Sequence, residues 1–251
     1  MNAESDSADS GLSLRRSLLS TSALLALNAG FVNAVALLIF AMPVGNLTGV
    51  TTQLGMKTAN PWLYEGHVLL AVLTGFFLGA LLAGMILPDA SVVAGTRPAA
   101  ILIAEALLLL VAAAGVEDTF VRDMIAGSGI EAQSIEAFFA ASALGLQNGL
   151  TSSFCGSPVR TTHFTGTITD LGLMIGRRRK HKADRYKAAT LILTLLLFLT
   201  GGAAGIVAGG RWGGYALIVP ALCCVAVAIA SVRREGSLEA FVQECRKIVG
   251  A

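Results

Sequence analysis

Pro43-Val44-Gly45-Asn46-Leu47-Thr48-Gly49 decides how this chain is read, because the chain states it twice. The second statement is Pro158-Val159-Arg160-Thr161-Thr162-His163-Phe164-Thr165-Gly166. Each follows an apolar run carrying Gly-x-x-Asn, Gly30-Phe31-Val32-Asn33 in one case and Gly145-Leu146-Gln147-Asn148 in the other. Each leads into a similar end, Thr52-Gln53-Leu54-Gly55 against Thr169-Asp170-Leu171-Gly172. Further on, Leu73-Thr74-Gly75 is answered by Leu199-Thr200-Gly201. Anchors repeated in one order point to an internal duplication, with function expected where the copies meet.

The surroundings of these anchors are apolar. Of 251 residues, 55% are hydrophobic and 14% charged, and the mean hydropathy is +0.72. Soluble domains carry ~25% charged residues, and a helix crosses a bilayer with ~20 apolar ones. Spans are expected at 17–41, 63–87, 98–116, 134–154, 188–209 and 213–232. The repeated Thr-Gly segments, 46–58 and 163–176, lie between spans and are too short to cross. The fold class is therefore all-α, a polytopic membrane protein: six transmembrane helices plus two short half-helices, in two structurally related halves. Three spans per copy is an odd number, so the halves form an inverted repeat. An eight-span chain, with the half-helices crossing fully, would instead make the repeats parallel.

Along the chain this gives a disordered tail at 1–14, a first repeat at 15–116, an acidic extracytoplasmic loop at 117–133, a second repeat at 134–232 and a cytoplasmic amphipathic tail at 233–251. Arg15-Arg16 precedes a run too long for a signal-peptide core, so the first span is read as retained. Arginine and lysine favour the cytoplasmic side of short loops. The run Arg177-Arg178-Arg179-Lys180-Lys182-Arg185-Lys187, with Arg233 and Arg234, places both termini in the cytoplasm. Lys57, Arg122 and Arg211 fall outside, and Arg160 falls in the cavity region. Gly75-x3-Gly79-x3-Ala83 and Gly201-x3-Gly205-x3-Gly209 put small residues on one helix face, where backbones approach closely in lipid. Such seams join the two copies, or two protomers of a homo-oligomer.

Proline lacks an amide N–H and clashes with the preceding turn, so Pro43 and Pro158 break their helices. Thr48 and Thr165 are expected to cap the half-helices that follow. Irregular backbone inside a membrane survives only when it is buried in protein or lines a wet cavity. The repeated stretch is thus a site candidate.

The pattern running from Gly30 and Asn33 to Thr48-Gly49, and from Gly145-Leu146-Gln147-Asn148 to Thr161-Thr162-His163-Phe164-Thr165-Gly166-Thr167, resembles the YoaK family of bacterial inner-membrane proteins. The resemblance covers about residues 17 to 232 and implies a fold and the bacterial cytoplasmic (inner) membrane. That family is a domain of unknown function, so no activity comes with it. The first copy departs from the family pattern, with Asn33 where the resemblance implies an acid and Val50 where it implies Asn.

Half-helix N-termini favour anionic or strongly polar groups, and transporters often join broken helices near the midplane. Asn33, Thr48, Gly49, Asn148, Thr161, Thr162, Thr165 and Gly166 are the expected lining of a site for a small polar or anionic solute. Glu105, mid-span, is an ionisable group at a costly depth and is the first candidate for proton or ion coupling, followed by His163 and Asp170. The same residues can instead only satisfy broken backbone, which would make the protein a non-transporting scaffold or sensor acting through its loop and tail. Motifs for metal binding, nucleophilic catalysis and phosphate cradling are absent from the sequence. Cys155, Cys223, Cys224 and Cys245 show no ligand spacing. No catalytic residue, metal or cofactor is expected, and the basic run lacks the aromatic interleaving of a nucleic-acid surface.

Overall fold

The computed structural model describes residues 2–60, 65–87, 95–117, 131–154, 161–177 and 182–234, with Phe120, Asp123, Met124 and Gly127 between, and side chains except those of 2–17, 182–184 and 186. Cys155, Pro158, Val159, Arg160, Cys245, the core of the basic run and the amphipathic tail from residue 235 lie outside the described residues. The regular elements are helical: α1 (Asn2–Phe40), α2 (Leu47–Ala59), α3 (Gly66–Ile86), α4 (Thr96–Glu117), α5 (Ala132–Ser152), α6 (Phe164–Gly176), α7 (Lys182–Trp212), a 3-10 turn (Gly213–Leu217) and α8 (Ile218–Arg233).

Residues 2–14, expected as a disordered tail, continue the first helix instead. Once a span supplies the nucleus, each further residue adds a hydrogen bond at little extra entropic cost. At the other end α1 stops at Phe40, because Ala41 adopts a left-handed φ of 56° and Pro43 follows. The caps of the half-helices also differ from expectation. Asn46, not Thr48, caps α2, its side chain accepting the Gly49 N–H at 3.2 Å. His163, not Thr165, occupies the N-cap position of α6, without a side-chain cap bond. Each threonine instead sits inside its first turn, and its carbonyl accepts a hydroxyl one turn on, from Thr52 or from Thr169.

Among the described residues, four segments are long and apolar enough to cross a membrane: Leu18–Phe40, Gly66–Ile86, Thr96–Glu117 and Lys187–Arg233. The last has 47 residues. Straight, it would measure ~70 Å, about twice a bilayer core. It turns instead at Gly213, whose φ of +57° suits glycine, and the Gly214 N–H donates to Glu117 Oε1 at 2.6 Å. α5 is of spanning length but carries Gln133, Glu136, Gln147 and Asn148, and protein covers most of it. A helix shielded from lipid can hold polar residues that a lipid-facing one cannot. The outer surface is the opposite: Phe77, Leu107, Val207 and Leu222 are each more than half exposed, an apolar belt suited to hydrocarbon rather than water.

Packing follows the glycine seams. α3 lies along α5, α1 lies along α7, and α4 bridges α5 and α8. A methyl on Gly30 would land on the Phe198 carbonyl, and one on Gly201 would land on the Leu27 carbonyl. The other pair matches: Gly145 faces the Phe76 carbonyl, and Gly79 faces the Ser142 carbonyl. In both pairs each glycine meets the carbonyl three residues before its opposite glycine. Packing therefore makes Gly79 the counterpart of Gly201, one turn along from the Gly75 that the sequence aligns with it. The small-residue faces thus lie where α1 meets α7 and where α3 meets α5.

Candidate functional site

The two breaks meet. Gly45, in the first break, has its N–H bonded to Asn33 Oδ1 at 2.8 Å. A side chain there would come within 2.9 Å of Thr162 Cγ2 in the second break and 3.0 Å of Leu144 on α5. A larger residue there would have to push these side-chain ends aside, which gives Gly45 a role that its sequence position alone did not signal.

α5 ties the second break down through consecutive amides. Gln147 Nε2 donates to the Leu25 carbonyl of α1 at 2.9 Å and to Thr161 Oγ1 at 2.7 Å. Asn148 Nδ2 donates to the Leu144 carbonyl at 3.0 Å and to Thr162 Oγ1 at 3.0 Å. Gln147 and Thr161 are fully buried. Their amide nitrogens are thus used, while Gln147 Oε1 and Asn148 Oδ1 are buried without a hydrogen-bond partner. A buried acceptor left alone costs ~1–3 kcal/mol. An exposed helix N-terminus attracts an anion by only ~0.3–1 kcal/mol. The unfilled acceptors are the larger effect here.

A family model described as "Protein of unknown function (DUF1275)" matches residues 21–230. The chain belongs to the DUF1275 family. No curated protein and no solved structure matches it.

In this DUF1275 chain the expected site residues divide. Asn33, Asn148, Thr161 and Thr162 come together at the break junction. Thr48 and Thr165 stand exposed, with Gly49 and Gly166 half-buried beside them on helices that rest on α3 and α7. The His163 ring lies over Gly166, where a Cβ would sit 2.6 Å from it. Asp170 pairs with Lys187 at 2.9 Å, both about half exposed, which makes it a rim ion pair.

Glu105 is fully buried, and neither carboxyl oxygen makes a hydrogen bond. Asn28 of α1 and Cys224 of α8 lie beside it. Asn28 Nδ2 donates to Cys224 Sγ at 3.2 Å. Reading the sequence missed Gln147 as a site residue, although it stood inside the quoted Gly-x-x-Asn motif, missed Asn28 altogether, and took Cys224 only as a cysteine without ligand spacing. It also missed Glu65, His67 and Glu131, whose ligand atoms lie within 4.8 Å of one another, all exposed. His67 pairs with Glu131, joining the first turns of α3 and α5. No motif links residues so far apart in the chain.

Proposed function

We propose that the protein is a small-solute permease of the bacterial inner membrane, built as an inverted repeat of three spans and a half-helix, with its solute site at the break junction. One observation carries this reading: two interrupted segments, each the copy of the other, touch at Gly45 and Thr162 beside buried acceptors that nothing fills. Irregular backbone and unfilled polar atoms at membrane depth are costly and are expected where a solute passes. Within DUF1275 we place the chain with the YoaK-like proteins, on the strength of Gly145 to Thr167. The positive-inside distribution supports cytoplasmic termini, and the length of α2 and α6, 13 residues each and so only ~20 Å, supports six spans. Coupling to a proton or ion is assigned to Glu105, which lies in the interior rather than at the rim as Asp170 does.

Close packing around Gly45 favours a second reading, a non-transporting scaffold or sensor whose polar groups only hold the breaks together. Uptake of a metabolite panel into proteoliposomes separates the two. A permease takes up at least one solute down its gradient, and Asn148→Leu or Thr162→Val cuts that flux about tenfold, the effect of one charge-assisted hydrogen bond. Flux that is absent for every solute, or unchanged in both variants, removes the permease reading.

A further inference from the structure

We infer that the break junction takes its solute by a positively charged, hydrogen-bond-donating group: a compact cation held by Gln147 Oε1 and Asn148 Oδ1. This rests on the junction being the solute site, and it sets aside the anion that half-helix ends suggest. Among the described residues, the buried side-chain atoms lacking a partner are Gln53 Oε1, both Glu105 oxygens, Gln147 Oε1, Asn148 Oδ1 and the Ser134 hydroxyl. Apart from that hydroxyl, all are carbonyl or carboxylate oxygens, and no side-chain nitrogen is among them.

The orientation of the two junction amides is fixed by their neighbours. Gln147 faces the Leu25 carbonyl and Asn148 faces the Leu144 carbonyl. A carbonyl only accepts, so the NH2 group must point to it in each case and the amide oxygen must point elsewhere. Asn46 caps the first turn of α2 and the start of α6 stands at exposed His163, so neither helix end supplies a donor to the buried oxygens. The Thr161 and Thr162 hydroxyls accept from the two amides and keep their own hydrogens. An anion would leave both amide oxygens unpaired; a cation pairs them.

Placement agrees with this. Leu25, whose carbonyl holds Gln147, and Asn28, beside Glu105, lie within one turn of α1. The Glu105 carboxyl and the junction amides therefore flank one level of the same helix, and a cation seated there is met by oxygen ligands. Ammonium-type groups and alkali ions share this chemistry.

The test uses full-length protein in lipid nanodiscs, its thermal unfolding followed with millimolar methylammonium chloride, guanidinium chloride or sodium chloride. A parallel series uses choline acetate and choline phosphate, whose bulky cation isolates the anion. Saturable stabilisation by one or more of the compact cations, and not by the choline salts, is expected. The arm that saturates at the lowest concentration identifies an ammonium, guanidinium or alkali ligand. Asn148→Leu should weaken that affinity about tenfold or more, and Thr162→Val, which keeps both amide oxygens, supplies a second folded variant that should weaken it less. Stabilisation by the choline salts alone, or by none of the probes, overturns the inference. Anion uptake in proteoliposomes without cation stabilisation would keep the permease and remove the cation. Cation stabilisation without flux would keep the cation site and remove the permease.

Discussion

At the scale of single residues, two features set what a substitution does. Ala41 holds a left-handed backbone that an L side chain adopts at a cost of ~1–2 kcal/mol. Ala41→Gly should therefore raise stability by ~1 kcal/mol, read as a higher unfolding temperature in detergent, since glycine enters that region without a steric penalty. An unchanged or lower midpoint would mean that the first break is not held by this residue. The second feature is whether a buried polar group has partners. Glu105 has only Asn28 and Cys224 as polar neighbours, so Glu105→Met should cost ~1 kcal/mol or less while abolishing ion coupling in a flux assay. Gln147 holds both α1 and Thr161, so Gln147→Leu should cost ~2–4 kcal/mol. Equal losses in the two variants would show Glu105 to be a structural group.

Among elements, the glycine crossings govern. Gly201 faces the Leu27 backbone, which cannot move aside without moving α1, whereas neighbouring Gly202 faces only the Gly30 carbonyl at 3.8 Å. Gly201→Ala should cost ~3 kcal/mol or more by overpacking. Gly202→Ala should be neutral or add ~0.5–1 kcal/mol through helix propensity. The ratio of folded to unfolded protein in a denaturing detergent titration measures both; similar values would put the α1–α7 seam elsewhere. The crossing also explains why the sequence alignment slipped by one turn. Small residues recur every fourth position in both copies, so several registers look alike, and only the backbone contact picks Gly79 as the partner of Gly201 in the pattern. Half-helix capping was misread for a related reason. Asn46 and Thr48 are both competent caps, and the choice depends on where Ala41 and Pro43 release the chain.

For the whole molecule, the arrangement in the membrane is the decisive quantity. With six spans, Lys57 at the end of α2 and Arg185 at the start of α7 lie on opposite sides of the membrane. With eight, the half-helices cross fully and the two lie on the same side. Lys57→Cys and Arg185→Cys, each in a background without the native cysteines, should label from opposite sides of sealed vesicles with a membrane-impermeant thiol reagent. Labelling from one side only would replace the inverted repeat by a parallel one and separate the broken ends that meet at the junction.

The sequence by itself determined that this is an apolar helical chain and that its interruptions fall at Pro43 and beyond Asn148, because composition, period and proline act locally. It also named Asn33, Asn148, Thr161 and Thr162, which repeated polar positions in apolar runs make conspicuous. Only the tertiary structure decided that Gly45 and Thr162 touch, that Gln147 reaches Leu25 across to α1, and that Thr48 and Thr165 stand exposed. Those outcomes depend on how helices far apart in the chain cross; the sequence marks the small-residue faces, but which glycine meets which backbone carbonyl is fixed only when the helices pack.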